Sequence, residues 1–201
     1  MKKLALALAL ASLPACAQDF EAGVFLGQNT YKSQTILGTE LKPETKTVAA
    51  ARLGFSIVDL GPALFEFTVG YQPKAKTAMD ANGANTGLDY GDQYWSAGLM
   101  FNFKAFVAVG AGVEYRGEKL TLEGPGLNQS TNYGRPWARV NVGFSFPLPI
   151  VKPFVGVEAA MPLASTSAPA NYGYGPGADT DASLKSHAPS FQVGVYGGIR
   201  F

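Results

Sequence analysis

Residues 190–201 read Ser-Phe-Gln-Val-Gly-Val-Tyr-Gly-Gly-Ile-Arg-Phe, and almost every second side chain is apolar. A period of two belongs to an extended strand with one apolar and one polar face. Phe191, Val193, Val195, Ile199 and Phe201 share the first face, and Gln192, Gly194, Tyr196, Gly198 and Arg200 share the second. The segment stops on an aromatic, whereas the terminus of a soluble domain normally frays into water. The closing strand of a transmembrane β-barrel meets both conditions, because its last ring can sit in the membrane interface.

Seven further stretches carry the same rhythm. Candidate strands cover residues 19–28, 47–58, 63–72, 92–103, 105–117, 132–146, 151–161 and 189–201. Three connections are tight: residues 59–62 (Asp-Leu-Gly-Pro), Lys104, and residues 147–150 (Pro-Leu-Pro-Ile). The other four, residues 29–46, 73–91, 118–131 and 162–188, are long and polar and are expected to be loops. Long and short connections alternate, as in an eight-stranded antiparallel up-and-down barrel with both termini in the periplasm. Runs of about ten residues match a tilted crossing of the bilayer.

Energetics fix which face meets lipid. Strand 47–58 sets Ala49, Ala51, Leu53, Phe55 and Ile57 against Arg52; strand 63–72 sets Phe65, Phe67, Val69 and Tyr71 against Glu66. Strand 105–117 opposes Val107, Val109, Ala111, Val113 and Tyr115 to Glu114 and Arg116, and strand 132–146 opposes Val140, Val142 and Phe144 to Arg135 and Arg139. An Arg facing lipid at mid-bilayer costs about 2–4 kcal/mol. A register slip of one residue would expose several such charges together. The apolar faces are therefore expected to meet lipid, and the charged faces to fill the lumen.

Counting back from the turns predicts lumen pairs: Arg52 near Glu66, Asp92 by Arg116, Glu114 by Arg135, and Arg139 by Glu158, with Glu21 and Arg200 together at the periplasmic end. An eight-stranded interior is only wide enough for side chains to fill. The network reads first as structural, and second as the lining of a narrow gated path.

The chain's start and composition agree. Met1-Lys2-Lys3, an apolar run from Leu4 to Leu13, and Ala15-Cys16-Ala17 form a secretory leader with its cleavage site. Residues 1–17 are expected to be removed, leaving a barrel domain over 18–201; lipidation at Cys16 is the alternative. Cys16 is the single cysteine, so simple cleavage leaves none for a disulfide or for cysteine chemistry. Charged residues are 15% and the formal net charge is +1, which excludes the basic footprint of a nucleic-acid binder. No apolar run after the leader is long enough for a spanning helix.

Aromatics band at two levels. Phe20, Phe65, Phe101, Phe103, Phe144, Phe146 and Phe201 lie beside short turns or termini, while Tyr71, Trp95, Tyr115 and Phe191 lie toward the long connections. Membrane proteins place such rings at both headgroup layers. Leader, four hairpins, charged lumen and terminal Phe201 together resemble the small outer-membrane β-barrels of Gram-negative bacteria, of the OmpX and OmpA-transmembrane-domain type. The resemblance implies a location in the outer membrane, contact with its lipid and lipopolysaccharide, and insertion by the barrel-assembly machinery. In that group the assembly signal is a terminal strand, here carried by Val193, Val195, Ile199 and Phe201. The resemblance transfers no specific activity and names no ligand for the loops.

Chemistry-bearing clusters are few. His187, with Ser183, Ser186 and Ser190, resembles the Ser/His pair of barrels that trim lipid A, but a nucleophile needs an aligned base and a third orienting group. His187 is expected as an exposed loop residue. Asp80, Asn82, Asp89 and Asp92 fail the ligand order of a calcium loop. No metal, cofactor or catalytic site is expected. The Tyr172-Gly173-Tyr174-Gly175-Pro176-Gly177 stretch reads as a flexible surface tip. The leading functional expectation is a non-enzymatic surface barrel with a plugged lumen. The alternatives are a narrow small-solute channel, a soluble lipocalin-like barrel with its apolar faces inward, and the lipid A enzyme.

Overall fold

The computed structural model describes residues 20–146 and 148–201; the expected leader lies outside them. The strands are β1 (Phe20–Tyr31), β2 (Gln34–Ile36), β3 (Thr39–Pro43), β4 (Lys46–Asp59), β5 (Ala63–Ala81), β6 (Ala84–Lys104), β7 (Val107–Gly124), β8 (Leu127–Ser145), β9 (Lys152–Pro162) and β10 (Pro189–Arg200). A short helix, α1 (Thr180–Ser186), precedes β10. Eight strands close into a ring in the order β5-β4-β1-β10-β9-β8-β7-β6, with β6 returning to β5, and every pairing is antiparallel. The small β2–β3 hairpin attaches to the upper part of β5. No described helix is long and apolar enough to cross a membrane.

Closure joins the two ends of the described chain. Glu21 lies opposite Arg200, and the Phe201 N–H donates to the Phe20 carbonyl at 2.9 Å. Phe20 and Phe201 stack with ring centroids 6.5 Å apart at the end that carries the short turns.

Alternation decides the facing as expected. Val24, Leu53, Phe67, Leu99, Val113, Val140, Val157 and Val195 stand exposed on the outer wall, while Glu66, Glu114, Arg116, Arg139 and Glu158 are buried inside. A wall of this kind in water would be a large apolar patch seeking cover. The lipocalin-like alternative needs the opposite facing and is overturned. Near the long-connection end, Tyr115 lies across Gly134 and Trp95 across Gly117, where any Cβ would collide with the ring. These glycines let the girdle rings lie flat on the wall.

Two expected loops are strand instead. Residues 73–91 and 118–131 mostly continue the ladder: β5 and β6 pair as far as Ala81↔Ala84, and β7 and β8 as far as Gly124↔Leu127. The turn at Asn82-Gly83 has φ of 49° and 79°, the left-handed pair that a two-residue hairpin needs. Above the girdle both faces of these strands carry polar residues, so the strong apolar alternation fades although the strand continues. Residues 29–46 hold the β2–β3 hairpin, and residues 162–188 hold α1.

Candidate functional site: the filled lumen and its cap

The lumen is filled by side chains in stacked layers. At the short-turn end, Lys104 on β6 pairs with Glu21 and stands 3.4 Å from Glu66, which also accepts from Asn102. Its ammonium lies 5.1 Å from the Phe154 ring centroid. In the middle, Arg52 pairs with Glu158, and Arg139 Nε lies 3.8 Å from the same carboxylate. Arg139 also donates to Glu114 Oε2 at 3.0 Å and to Thr68 Oγ1 at 3.2 Å.

Glu114 ties the middle to the layer above. Its second oxygen accepts from Arg116 Nε at 2.6 Å, and Arg116 Nη2 donates to Gln192 Oε1 at 2.9 Å. The Arg116 guanidinium lies 3.9 Å from the Trp137 ring centroid and 4.2 Å from that of Tyr94, a stacked geometry suited to its planar charge. Gln192 donates to Asn29 at 2.8 Å, while Asn29 and Gln72 donate to Asp92 at 3.0 and 2.6 Å; Tyr31 completes that carboxylate's shell. Higher still, Arg135 holds Glu118 with two bonds of 2.9 and 3.1 Å and reaches the Pro189 carbonyl at 2.5 Å.

The partners differ from those that turn counting predicts. Arg139 and Glu158 do meet. Arg52 takes Glu158 and leaves Glu66 to Lys104, because β4 and β9 face each other across the narrow lumen and the register sets Arg52 opposite Gly70. Asp92 lies opposite Leu120 and is satisfied by Asn29, Gln72 and Tyr31, while Arg116 turns to Glu114. Arg135 goes to Glu118, a residue the sequence reading left in a loop, although Glu114, Arg116 and Glu118 alternate in one phase. Lys104, expected in a tight connection, and the uncharged Asn29, Gln72 and Gln192, which a reading of charges alone misses, are further members.

An apolar cap closes the long-connection end. Tyr31, Met79, Tyr90, Leu120, Leu122, Leu184 and Ala188 form one buried cluster, with Tyr174 packed against it. Helix α1 drives Leu184 into this cluster, and the Asp179 side chain caps its start by accepting from the Ala182 N–H at 3.0 Å.

His187 is fully buried here, contrary to the exposed loop residue expected. Its Nδ1 lies 3.1 Å from the Lys32 carbonyl, and its Nε2 lies 2.6 Å from the Tyr172 hydroxyl, which is 2.7 Å from that of Tyr174. The two tyrosines thus turn inward as a latch, which corrects the expected free tip. Ser183 donates to the Asp179 carbonyl, Ser186 to the Ser183 carbonyl, and Ser190 to the Thr30 carbonyl. Each serine serves the backbone and none is bonded to the imidazole, so the Ser/His arrangement of a hydrolase is not formed.

Burial lowers the His187 pKa to about 4, below its ordinary 6.5. The unfolded segment therefore binds the proton more readily than the folded cap between these values. Cap stability is expected to be constant above about pH 6.5 and to fall as pH drops toward about 4. Proteolysis of the 163–188 segment across that range checks this; the His187→Gln variant should lose most of the pH dependence.

Among the described residues no cluster of His, Cys, Asp and Glu has metal-binding geometry. The cavity between the Glu21, Glu66 and Lys104 layer and the Arg139 layer is about 30 Å³, room for about one water molecule.

No protein-family model matches the chain, and no curated protein matches it in sequence. Solved structures do match. A major outer membrane protein from Thermus thermophilus shares 14% identity at a TM-score of 0.56, covering 92% of this chain and 99% of its own. Neisserial surface protein A shares 13% at 0.49, covering 91% and 95%. Ail, the attachment invasion locus protein of Yersinia pestis, shares 10% at 0.49, covering 91% and 98%. At such identities the likeness is one of architecture, and the Thermus protein carries it. With its exposed apolar wall, filled polar lumen and eight-stranded ring, the chain has the fold of the small, OmpX-type outer-membrane β-barrels.

Proposed function

We propose that the protein is a non-enzymatic integral outer-membrane barrel whose lumen is a structural plug and whose working surface is the long-connection end. The observation that supports this most is the filled interior: ion pairs run from Lys104 to Arg135, and the apolar cap sits above them. Solute passage would require breaking several buried pairs together, and breaking even one costs about 3–5 kcal/mol. Interaction then falls to the sheet formed by the upper parts of β5 to β8, to the β2–β3 hairpin and to the capped 163–188 segment. The terminal strand, with Val193, Val195, Ile199 and Phe201 facing outward, has the form that the assembly machinery would read during insertion.

The refolded chain in a planar bilayer is expected to show no steady single-channel conductance. Steady conductance altered by replacing Arg139 or Glu114 would make the small-solute channel the better reading.

A further inference from the structure

The short-turn end of the barrel is apolar to its tips. Leu60 stands 72% exposed in the β4–β5 turn, Phe106 62% in the β6–β7 turn and Ile150 81% in the β8–β9 turn. A bulge between Ser56 and Val58 turns Ile57 and Val58 outward together, so the apolar wall runs on to the first turn. Asp59 is the one exposed ionisable side chain among the described residues of these three turns, because Lys104 points into the lumen. At the other end Leu37 is the one large apolar hairpin tip, and Glu40 and Lys42 follow it closely in sequence.

Much of the backbone of these turns is satisfied internally. The Leu60 N–H donates to the Ala63 carbonyl at 2.9 Å, and the Gly61 N–H to Asp59 Oδ1 at 2.7 Å. The Lys104 N–H donates to the Pro62 carbonyl at 2.6 Å, and the Leu148 N–H to the Phe146 carbonyl at 2.8 Å. Pro62 and Pro149 have no N–H to leave unpaired. Donors met in this way lower the cost of taking a turn out of water.

The heights leave a gap that the tips fill. From Trp95 in the upper girdle to Phe103 is eight residues of β6. At about 3.4 Å per residue and a 35–45° tilt, that is about 19–22 Å of height. The apolar band of a membrane barrel is about 25 Å tall, so the wall between the two ring levels is short by about 3–6 Å. Phe106 lies three residues beyond Phe103, and Leu60 five beyond Phe65, enough to supply the difference.

We infer that the tips of the three short turns, Leu60, Phe106 and Ile150, insert into the membrane leaflet at that end and complete the barrel's hydrocarbon contact. This rests on the outer-membrane reading above, which makes that leaflet the periplasmic one. The occupant is lipid because the tips continue a wall that already faces lipid and offer one charge to an aqueous partner. That charge, the Asp59 carboxylate, is drawn toward the tip by the Gly61 N–H and so stands on the headgroup side.

Residues 18–201 contain no cysteine, so single cysteines can be placed and spin-labelled in the mature chain refolded in phospholipid vesicles. Leu60→Cys, Phe106→Cys and Ile150→Cys are compared with Val113→Cys on the outer wall and Lys185→Cys on α1. At the three tips, collision with oxygen, which concentrates in lipid, is expected to exceed collision with a water-soluble nickel chelate, as at Val113→Cys. Nickel collision equal to that at Lys185→Cys would overturn the inference. The Leu60→Asn/Phe106→Asn/Ile150→Asn variant is expected to refold best in bilayers about 3–6 Å thinner than the natural chain prefers. An unchanged optimum would overturn it equally. Heat-modifiable migration shows that each variant is folded. Water access at Val113→Cys would instead overturn the membrane reading itself, so the two failures are distinguishable.

Discussion

Replacing Glu114 with alanine is expected to destabilise the barrel by about 3–5 kcal/mol, the cost of removing one partner from a buried ion pair. The carboxylate is shared by Arg116 at 2.6 Å and Arg139 at 3.0 Å, so its removal strands two guanidinium groups in a lumen with little room for water. Glu114→Gln keeps an acceptor and should lose less, about 1–3 kcal/mol. Because Arg139 acts within the same network, combining Glu114→Ala with Arg139→Ala should cost clearly less than the sum of the two single changes. Guanidinium unfolding in micelles, followed by fluorescence and by gel mobility, measures all of these. A loss below about 1 kcal/mol for Glu114→Ala would put the network in the class of solvated surface pairs and argue for a wetter, more open lumen.

The second large effect lies on the other side of the same strand. Val113 is exposed, pairs with Leu99, and lies about midway between the Trp95 level and the Phe103 level. Val113→Arg is expected to cost about 2–4 kcal/mol in a bilayer, as for a charge facing hydrocarbon at its midplane. Lys119→Arg, on β7 above the girdle, should change stability little. Unfolding titrations in lipid vesicles compare the two. If Val113→Arg proved neutral, the outer wall would not face hydrocarbon, and the transmembrane assignment would fail.

The facing of the wall was legible because lipid enforces alternation strictly: one Arg on the wrong side of β7 or β8 is costly. The short turn after β4 was legible from Asp59-Leu60-Gly61-Pro62, whereas the turn expected at Lys104 falls at Ala105-Phe106, with Lys104 still in β6 and inside the lumen. Above the membrane the same strands lose that discipline. Lys74, Lys76, Thr77 and Met79 still alternate between outside and inside, but polar residues are tolerated on both faces, and the Asn82-Gly83 turn was the surer sign that β5 and β6 continue. The lumen partners were legible in membership more than in pairing. Hairpin counting compares neighbours, while Arg52 finds Glu158 across the lumen, and Asp92 is satisfied by amides and a phenol instead of a cation. His187 was misplaced for a similar reason. Its segment is rich in Ala, Ser and Gly and carries little apolar signal of its own, so its burial is decided by the pocket beneath α1 and by Tyr172 folding back over it.

The continuation of β5 to β8 beyond the girdle changes what an encounter at that end would cost. A partner meeting free loops must wait for them to settle into one shape, and each ordered residue subtracts about 1–2 kcal/mol from the contact. Here the hydrogen-bonded ladder and the buried cap have fixed the backbone before any partner arrives. Recognition at this end would be that of a preset template, losing little entropy on contact and sensitive to shape more than to flexibility.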